Sequence, residues 1–127
     1  MKKSRQGRII NISTELILGA PTRTAYGGAK AALASVSRTW ALELAEFGIT
    51  VNTIAPGPVD TEFFLQNNPV GSDIRKQKLD RIPLGRFATP ADIANLANFL
   101  MSPEAAYITG QIFHIDGGSS IASAPLF

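Results

Sequence analysis

Arg8-Ile9-Ile10-Asn11-Ile12-Ser13 is short, rich in β-branched residues and apolar on both sides of its pleat, the pattern of a strand buried between two layers. Residues 14 to 23 hold Gly19, Ala20, Pro21 and two threonines, which break regular structure and predict a loop at the strand's C-terminal end. From Thr24 to Phe47 the apolar residues Ala29, Leu33, Val36, Trp40 and Leu44 recur at steps of three and four. That spacing predicts a long helix, with Gly48 as its stop. Ile49-Thr50-Val51-Asn52-Thr53-Ile54 then reads as a second strand, ended by Ala55-Pro56-Gly57-Pro58, a run not expected to continue a ladder. A strand, a long helix and a second strand make one βαβ unit, which implies an α/β fold with parallel pairing and a right-handed crossover.

Beyond this unit, Val59 to Pro83 carries Phe63-Phe64-Leu65, Asn67-Asn68-Pro69 and a charged run from Arg75 to Lys78. It reads as a mobile covering segment with one or two short helices. Thr89-Pro90-Ala91-Asp92 is a helix start: threonine caps, proline occupies the first turn, and the aspartate sits at the positive end of the dipole. Ile93, Leu96, Ala97 and Leu100 give that helix one apolar stripe, ending near Met101. Gln111-Ile112-Phe113-His114-Ile115 predicts a third strand, closed by Asp116-Gly117-Gly118.

The chain has 127 residues, enough for one ordinary domain that buries roughly two-thirds of its unfolded surface. Its net charge of +2 is scattered, which argues against a phosphate-tracking groove and hence against a nucleic-acid partner. The absence of cysteine excludes a disulfide framework and thiolate-held metal and fits a reducing compartment. Met1-Lys2-Lys3-Ser4-Arg5 is basic like a secretory leader, but only Ile9-Ile10 follows before Asn11, and no run approaches the ~20 apolar residues that span a bilayer. A cytoplasmic chain without membrane insertion is the expectation.

The chemistry is expected at Tyr26 and Lys30, four residues apart and therefore on one helix face about a turn apart. A free phenol has a pKa of about 10, and a nearby ammonium favours the phenolate, bringing the tyrosine toward the working range of a general acid or base. As a bare pattern Tyr-x-x-x-Lys is common on helix surfaces. Its place after a strand and a loop gives it weight, because a hydroxyl from the strand's end is brought beside the phenol.

Five stretches in order sharpen this. They are Gly7 to Thr14, Tyr26-Gly27-Gly28-Ala29-Lys30-Ala31-Ala32-Leu33, Gly48 to Thr61 with its Ala55-Pro56-Gly57-Pro58 core, Pro83-Leu84-Gly85-Arg86-Phe87 with Pro90, and Tyr107-Ile108-Thr109-Gly110-Gln111 through Asp116-Gly117-Gly118. Together they resemble the C-terminal half of a short-chain dehydrogenase/reductase, in particular the 3-oxoacyl-carrier-protein reductases. The resemblance covers nearly all of residues 1–127 as the catalytic half of a doubly wound, Rossmann-like parallel sheet, keeping roughly three strands. It implies an NAD- or NADP-dependent enzyme that interconverts a secondary alcohol and a ketone, and subunits that assemble as a homo-oligomer through helices.

By the same resemblance, Tyr26 exchanges a proton with the substrate oxygen, while Lys30 tunes the phenol and bonds the nicotinamide ribose. Pro56, Gly57, Val59 and Thr61 line the nicotinamide pocket. A hydroxyl at the end of the first strand holds the substrate oxygen. Aligning on the strand favours Thr14 for that role, and counting back from Tyr26 favours Ser13. The glycine-rich turn that receives the pyrophosphate does not occur in these residues, and Gly117-Gly118 opens no helix that could replace it. The chain therefore reads as truncated, with the nucleotide-binding half absent and an apolar strand edge exposed. The isolated 127 residues are expected to be inactive and to bind nicotinamide dinucleotide weakly or not at all. The alternative is a non-catalytic remnant that folds only beside a related subunit.

Other candidates have plainer readings. His114 is expected as a packed or surface residue, Asp60 as a cap and Glu62 as a solvated charge, and Arg75 to Arg81 as the solvated face of a short helix. Gly27, Gly28, Ala31, Ala34 and Ser35 are small enough to let another helix approach.

Overall fold

The computed structural model describes residues 1–122. Its three strands, β1 (Gly7–Ile12), β2 (Ile49–Pro56) and β3 (Ile112–Ile115), form one parallel sheet in the order β1-β2-β3. The long helix α1 (Thr24–Leu44) crosses over between β1 and β2, and α4 (Pro90–Met101) between β2 and β3. Two short helices, α2 (Glu62–Asn67) and α3 (Asp73–Leu79), occupy the segment predicted to cover the sheet's end. Among the described residues no helix is long and apolar enough to cross a membrane.

β2 is the spine. Residues 49 to 55 are all buried, because β1 and β3 pair with both of its edges while α1 and α4 cover its faces. On the α4 face Ile54, Leu100 and Ala105 form the innermost cluster, joined by Ile10, Ile93, Leu96 and Phe113. Each such aliphatic side chain stabilises the fold by roughly 1.5–3 kcal/mol when fully withdrawn from water. The stripe predicted for α4 is the one that packs, and the helix begins with a capping box between Thr89 and Asp92. Asn52, a polar residue in the buried strand, is satisfied on both ends: its amide donates to the Ile108 carbonyl and its oxygen accepts from the Gln111 N–H.

Four expectations are corrected. β1 is half-exposed rather than enclosed, since it lies at an edge of the described sheet and only its inner edge is paired. β2 continues through Pro56, in register with Ile115. Thr53 and Gly57 donate to β3, so the intervening Pro56 nitrogen faces the β1 side, where the pairing has already ended at Ile12, and the missing N–H costs no bond. The α1 stripe is rotated from the predicted one. Gly27, Ala34, Ser37 and Ala41 are buried, whereas Val36 and Trp40 are exposed. Small residues face inward because α1 lies close on the sheet: a Cβ at Gly27 would stand 3.2 Å from the Leu16 carbonyl oxygen, and Ser37 accepts from Asn11 of β1 at 2.7 Å. Of the small residues predicted to receive a neighbouring helix, Gly28, Ala31 and Ser35 remain exposed, while Gly27 and Ala34 serve the fold itself.

Candidate active site

All three strands point their C-terminal ends to one side of the molecule, the usual ligand edge of an open α/β sheet. There, a cleft of about 640 Å³ lies between the segments leaving the strands and the α2–α3 cover. Its floor is Thr14 and Glu15 after β1, Gly57 and Pro58 after β2, and Ser119 and Ser120 after β3. Phe64, Lys78, Arg81 and Ile82 form the opposite wall, and residues 16 to 23 the rim.

The stretch predicted as a plain loop after β1 starts with one 3-10 turn over Glu15–Leu18. Thr14 caps it, its Oγ1 accepting from the Leu16 N–H at 3.3 Å, which leaves the threonine O–H available on the cleft. Ser13 is differently employed. Its hydroxyl donates to the Lys30 carbonyl at 3.1 Å, and Ser13 does not border the cleft. Lys30 returns the link, its Nζ donating to the Ile12 carbonyl at 2.7 Å. Two bonds thus stitch the second turn of α1 to the end of β1.

Tyr26 stands one turn before Lys30 and is 49% exposed, so its phenol is open to solvent rather than sealed in the interior. Among the described residues the Tyr26 hydroxyl makes no hydrogen bond, and neither it nor Lys30 borders the cleft; Arg23, at the start of the same helix, does. The structure joins Lys30 to Ser13 and Ile12 at the end of β1, and leaves Tyr26 exposed one turn earlier on the helix.

The nicotinamide-pocket residues predicted by resemblance follow β2 directly. Gly57 is obligatory for packing: a Cβ there would stand 2.7 Å from the Asp116 Cβ. Thr61 caps α2 through its side chain, accepting from the Phe64 N–H at 3.2 Å. Val59 bridges to Ala88, with Ala88 N–H donating to the Pro58 carbonyl and Asp60 N–H to the Ala88 carbonyl, so the Val59 N–H is left without a partner among the described residues. Of the four residues, Gly57 borders the cleft, whereas Pro56, Val59 and Thr61 do not; the Val59 N–H is a backbone donor to which a carboxamide such as that of nicotinamide could bond.

Asp60 and Arg75 depart from their plain readings. Thr61, not Asp60, is the cap; the Asp60 carboxylate takes both guanidinium nitrogens of Arg75, at 2.8 and 2.9 Å. Arg75 lies 4.5 Å from the centre of the Phe87 ring, and its side chain is only 16% exposed. The hydrogen bonds from Arg75 hold the Asp60 carboxyl below the usual carboxylate range. This pair ties α3 to the segment leaving β2.

Sequence reasoning passed over Glu15. Burial pushes its carboxyl up, with Asp116 adding repulsion, against the hydrogen bond donated by the Ser119 hydroxyl. That bond joins the exits of β1 and β3 across the cleft floor. An acid directly after the strand-end hydroxyls was the available signal. Asp116 was legible only as a turn residue; burial raises its carboxyl, but bonds from Ser120 and the Gly118 N–H outweigh this and lower it.

Comparisons with known proteins agree with this geometry. The family profile described as Enoyl-(Acyl carrier protein) reductase matches residues 1–120. A 3-oxoacyl-[acyl-carrier-protein] reductase of Thermotoga maritima is 42% identical over 119 residues, covering 93% of this chain and 47% of the relative. A 2,3-dihydroxy-2,3-dihydro-p-cumate dehydrogenase of Pseudomonas putida is 36% identical over 122 residues, covering 95% of this chain and 47% of the relative. The solved structure of a short-chain type dehydrogenase/reductase from Mycobacterium ulcerans superposes with a TM-score of 0.91 at 28% identity, covering 98% of this chain and 46% of that one. The chain spans about half the length of the curated relatives it matches. From the parallel sheet, the hydroxyls at the end of β1, the Tyr26–Lys30 turn and these matches it follows that the chain belongs to the short-chain dehydrogenase/reductase family.

Proposed function

We propose that these residues form the C-terminal, proton-transferring half of an NAD- or NADP-dependent oxidoreductase that interconverts a secondary alcohol and a ketone, with 3-oxoacyl thioesters as the first substrate class to test. The observation that carries this is the division of labour at the end of β1. Ser13 and Lys30 lock helix to strand, while the Thr14 hydroxyl opens on a cleft at the sheet's ligand edge.

In the reductive direction, Thr14 donates a hydrogen bond to the substrate carbonyl oxygen and stabilises the negative charge that develops there. Tyr26 delivers its phenolic proton to that oxygen. Lys30, one turn further along the helix, places a positive charge on the same helix face as the phenol. Val59 N–H and the backbone around Pro56, Gly57 and Thr61 hold the nicotinamide end of the dinucleotide. That group, when bound, supplies or accepts the hydride. The family profile and the relatives name reactions at different bonds, so the fold alone does not select the substrate.

Residues 1–127 contain no pyrophosphate-binding turn, so the proposed reaction is tested in an enzyme completed with one. In the enzyme so completed, Tyr26→Phe should lower kcat for a 3-oxoacyl thioester by roughly 10²–10⁴-fold, the usual worth of a positioned proton donor. Its exposed side chain predicts unfolding within about 0.5 kcal/mol of the parent. Undiminished turnover in that variant overturns the assignment. The half-open edge of β1 favours a second reading, a non-catalytic remnant that folds only against a related subunit. A Thr-Gly-x-x-x-Gly-x-Gly segment in the DNA upstream of Met1 supports the enzyme; its absence supports the remnant. The completed enzyme is proposed to work in the cytoplasm and to form a homo-oligomer.

A further inference from the structure

Of the twelve lysines and arginines of the chain, Arg75, Lys76 and Arg86 each have a carboxylate partner, Asp60, Asp80 and Asp92 respectively. The other nine have none among the described residues, and three of these, Arg23, Lys78 and Arg81, border the cleft described above. They come from two separate elements, the start of α1 and the α3 end, that border the same opening. The only acid bordering the same cleft is Glu15, whose carboxyl is engaged by the Ser119 hydroxyl and is turned toward its neutral form by burial. Lys78 is oriented by the Phe64 ring, with its ammonium 5.2 Å from the ring centre.

A cleft that holds three unmatched cations and one masked acid has a positive potential focused by its low-dielectric walls. Self-repulsion among three cations is unfavourable in the empty cleft and is relieved by an anion. Phe64 and Ile82 add an apolar part to the same lining, which suits a short carbon chain.

We propose that Arg23, Lys78 and Arg81 are specificity determinants that select substrates bearing an anionic group, a carboxylate or a phosphate, at the end of the molecule away from the reacting carbonyl. This rests on the reaction proposed above but is read out independently of it. Rim cations act mainly by steering and by screened attraction, so the preference is modest and falls with salt.

The test is calorimetric binding of matched probes to the completed enzyme. The monomethyl ester of 3-oxoadipate carries a terminal carboxylate where methyl 3-oxohexanoate carries a methyl group. Acetoacetyl-coenzyme A against acetoacetyl-N-acetylcysteamine makes the corresponding phosphate pair. The anionic member of at least one pair should bind about tenfold more tightly, since each exposed ion pair contributes less than a factor of about five. Which pair discriminates identifies the anion. Lys78→Gln combined with Arg81→Gln should reduce the preference to about twofold or less, while Lys76→Gln on the same helix, away from the cleft, should leave it intact. Equal affinity within both pairs, or a preference unchanged in the double variant, overturns the proposal. Discrimination in binding without turnover in the completed enzyme would sink the reaction and leave this inference standing; turnover without discrimination would do the reverse.

Discussion

Gly57→Ala is the sharpest test of how the ligand edge is assembled. The added Cβ would stand 2.7 Å from the Asp116 Cβ and 2.8 Å from its Cα. The second atom is main chain at the exit of β3, so no side-chain rotation relieves the contact. Carbon atoms pack best near ~3.5 Å, and the two strand ends would have to separate by about 0.7 Å, the difference between that distance and 2.8 Å. Such a movement stretches the bond from Gly57 N–H to the Ile115 carbonyl from 3.1 Å to about 3.8 Å, beyond useful length. Overpacking of this kind costs roughly 1–3 kcal/mol and the lost bond about 1 kcal/mol, so about 2–4 kcal/mol is expected. Gly28→Ala is the internal control: nothing lies within 4 Å of its would-be Cβ, and an alanine inside α1 should stabilise by about 0.5–1 kcal/mol. Urea unfolding followed by far-UV circular dichroism and Trp40 fluorescence measures both. A Gly57→Ala variant within about 0.5 kcal/mol of the parent would refute the close approach of the β2 and β3 exits.

The two strand-end hydroxyls separate in a paired experiment. Ser13→Ala should cost about 1 kcal/mol of stability by removing the bond to the Lys30 carbonyl, whereas Thr14→Val should cost a similar amount at the 3-10 cap and lower kcat of the completed enzyme at least about 100-fold; a reversed pattern of kcat would exchange their roles. Arg75→Met should destabilise the fold near neutral pH, since it leaves Asp60 without its partner. Because Asp60 is lowered from 3.8, its contribution is present above that pH and is lost as pH falls through the folded value, so the parent should lose stability on acidification more steeply than Arg75→Met does; parallel pH profiles would contradict the pairing. Glu15 has the opposite sign. Its folded value is raised above 4.5, so its contribution is complete below that pH and is lost as pH rises through the folded value. Glu15→Gln should therefore gain stability over the parent as pH is raised from about 4 to about 8, and a constant difference would exclude a buried, titrating carboxyl.

The βαβ unit was legible because it rests on short-range pattern: β-branched runs at Ile9–Ile12 and Ile49–Ile54, a helix between them, and glycine stops. The start of α4 was legible for the same reason, since a cap is a local arrangement of four residues. The face of α1 was not. Hydrophobicity pointed to Val36 and Trp40, but how closely a helix lies on a sheet depends on side-chain size, and the inward positions went to Gly27, Ala34 and Ala41. At the candidate site, spacing placed Tyr26 and Lys30 one turn apart on a helix, yet the sequence could not say that Lys30 would bond the strand end or that Ser13 would face the helix. Those facts depend on atoms 17 or 18 residues apart. Asp60 with Arg75 and Glu15 with Ser119 are pairings of the same non-local kind, at separations of 15 and 104 residues, and no window along the chain reveals them.

The double stitch between Lys30 and the end of β1 makes one anvil of the residues proposed to handle the proton. The segment from α2 to α3 forms the opposite jaw of the cleft, tied to the exit of β2 by the Arg75–Asp60 ion pair. Inherited changes in the jaw can alter which molecules are admitted while the spacing of phenol, ammonium and hydroxyl stays as it was. A scaffold built this way can acquire new clients by surface drift alone, with its chemistry carried along unaltered.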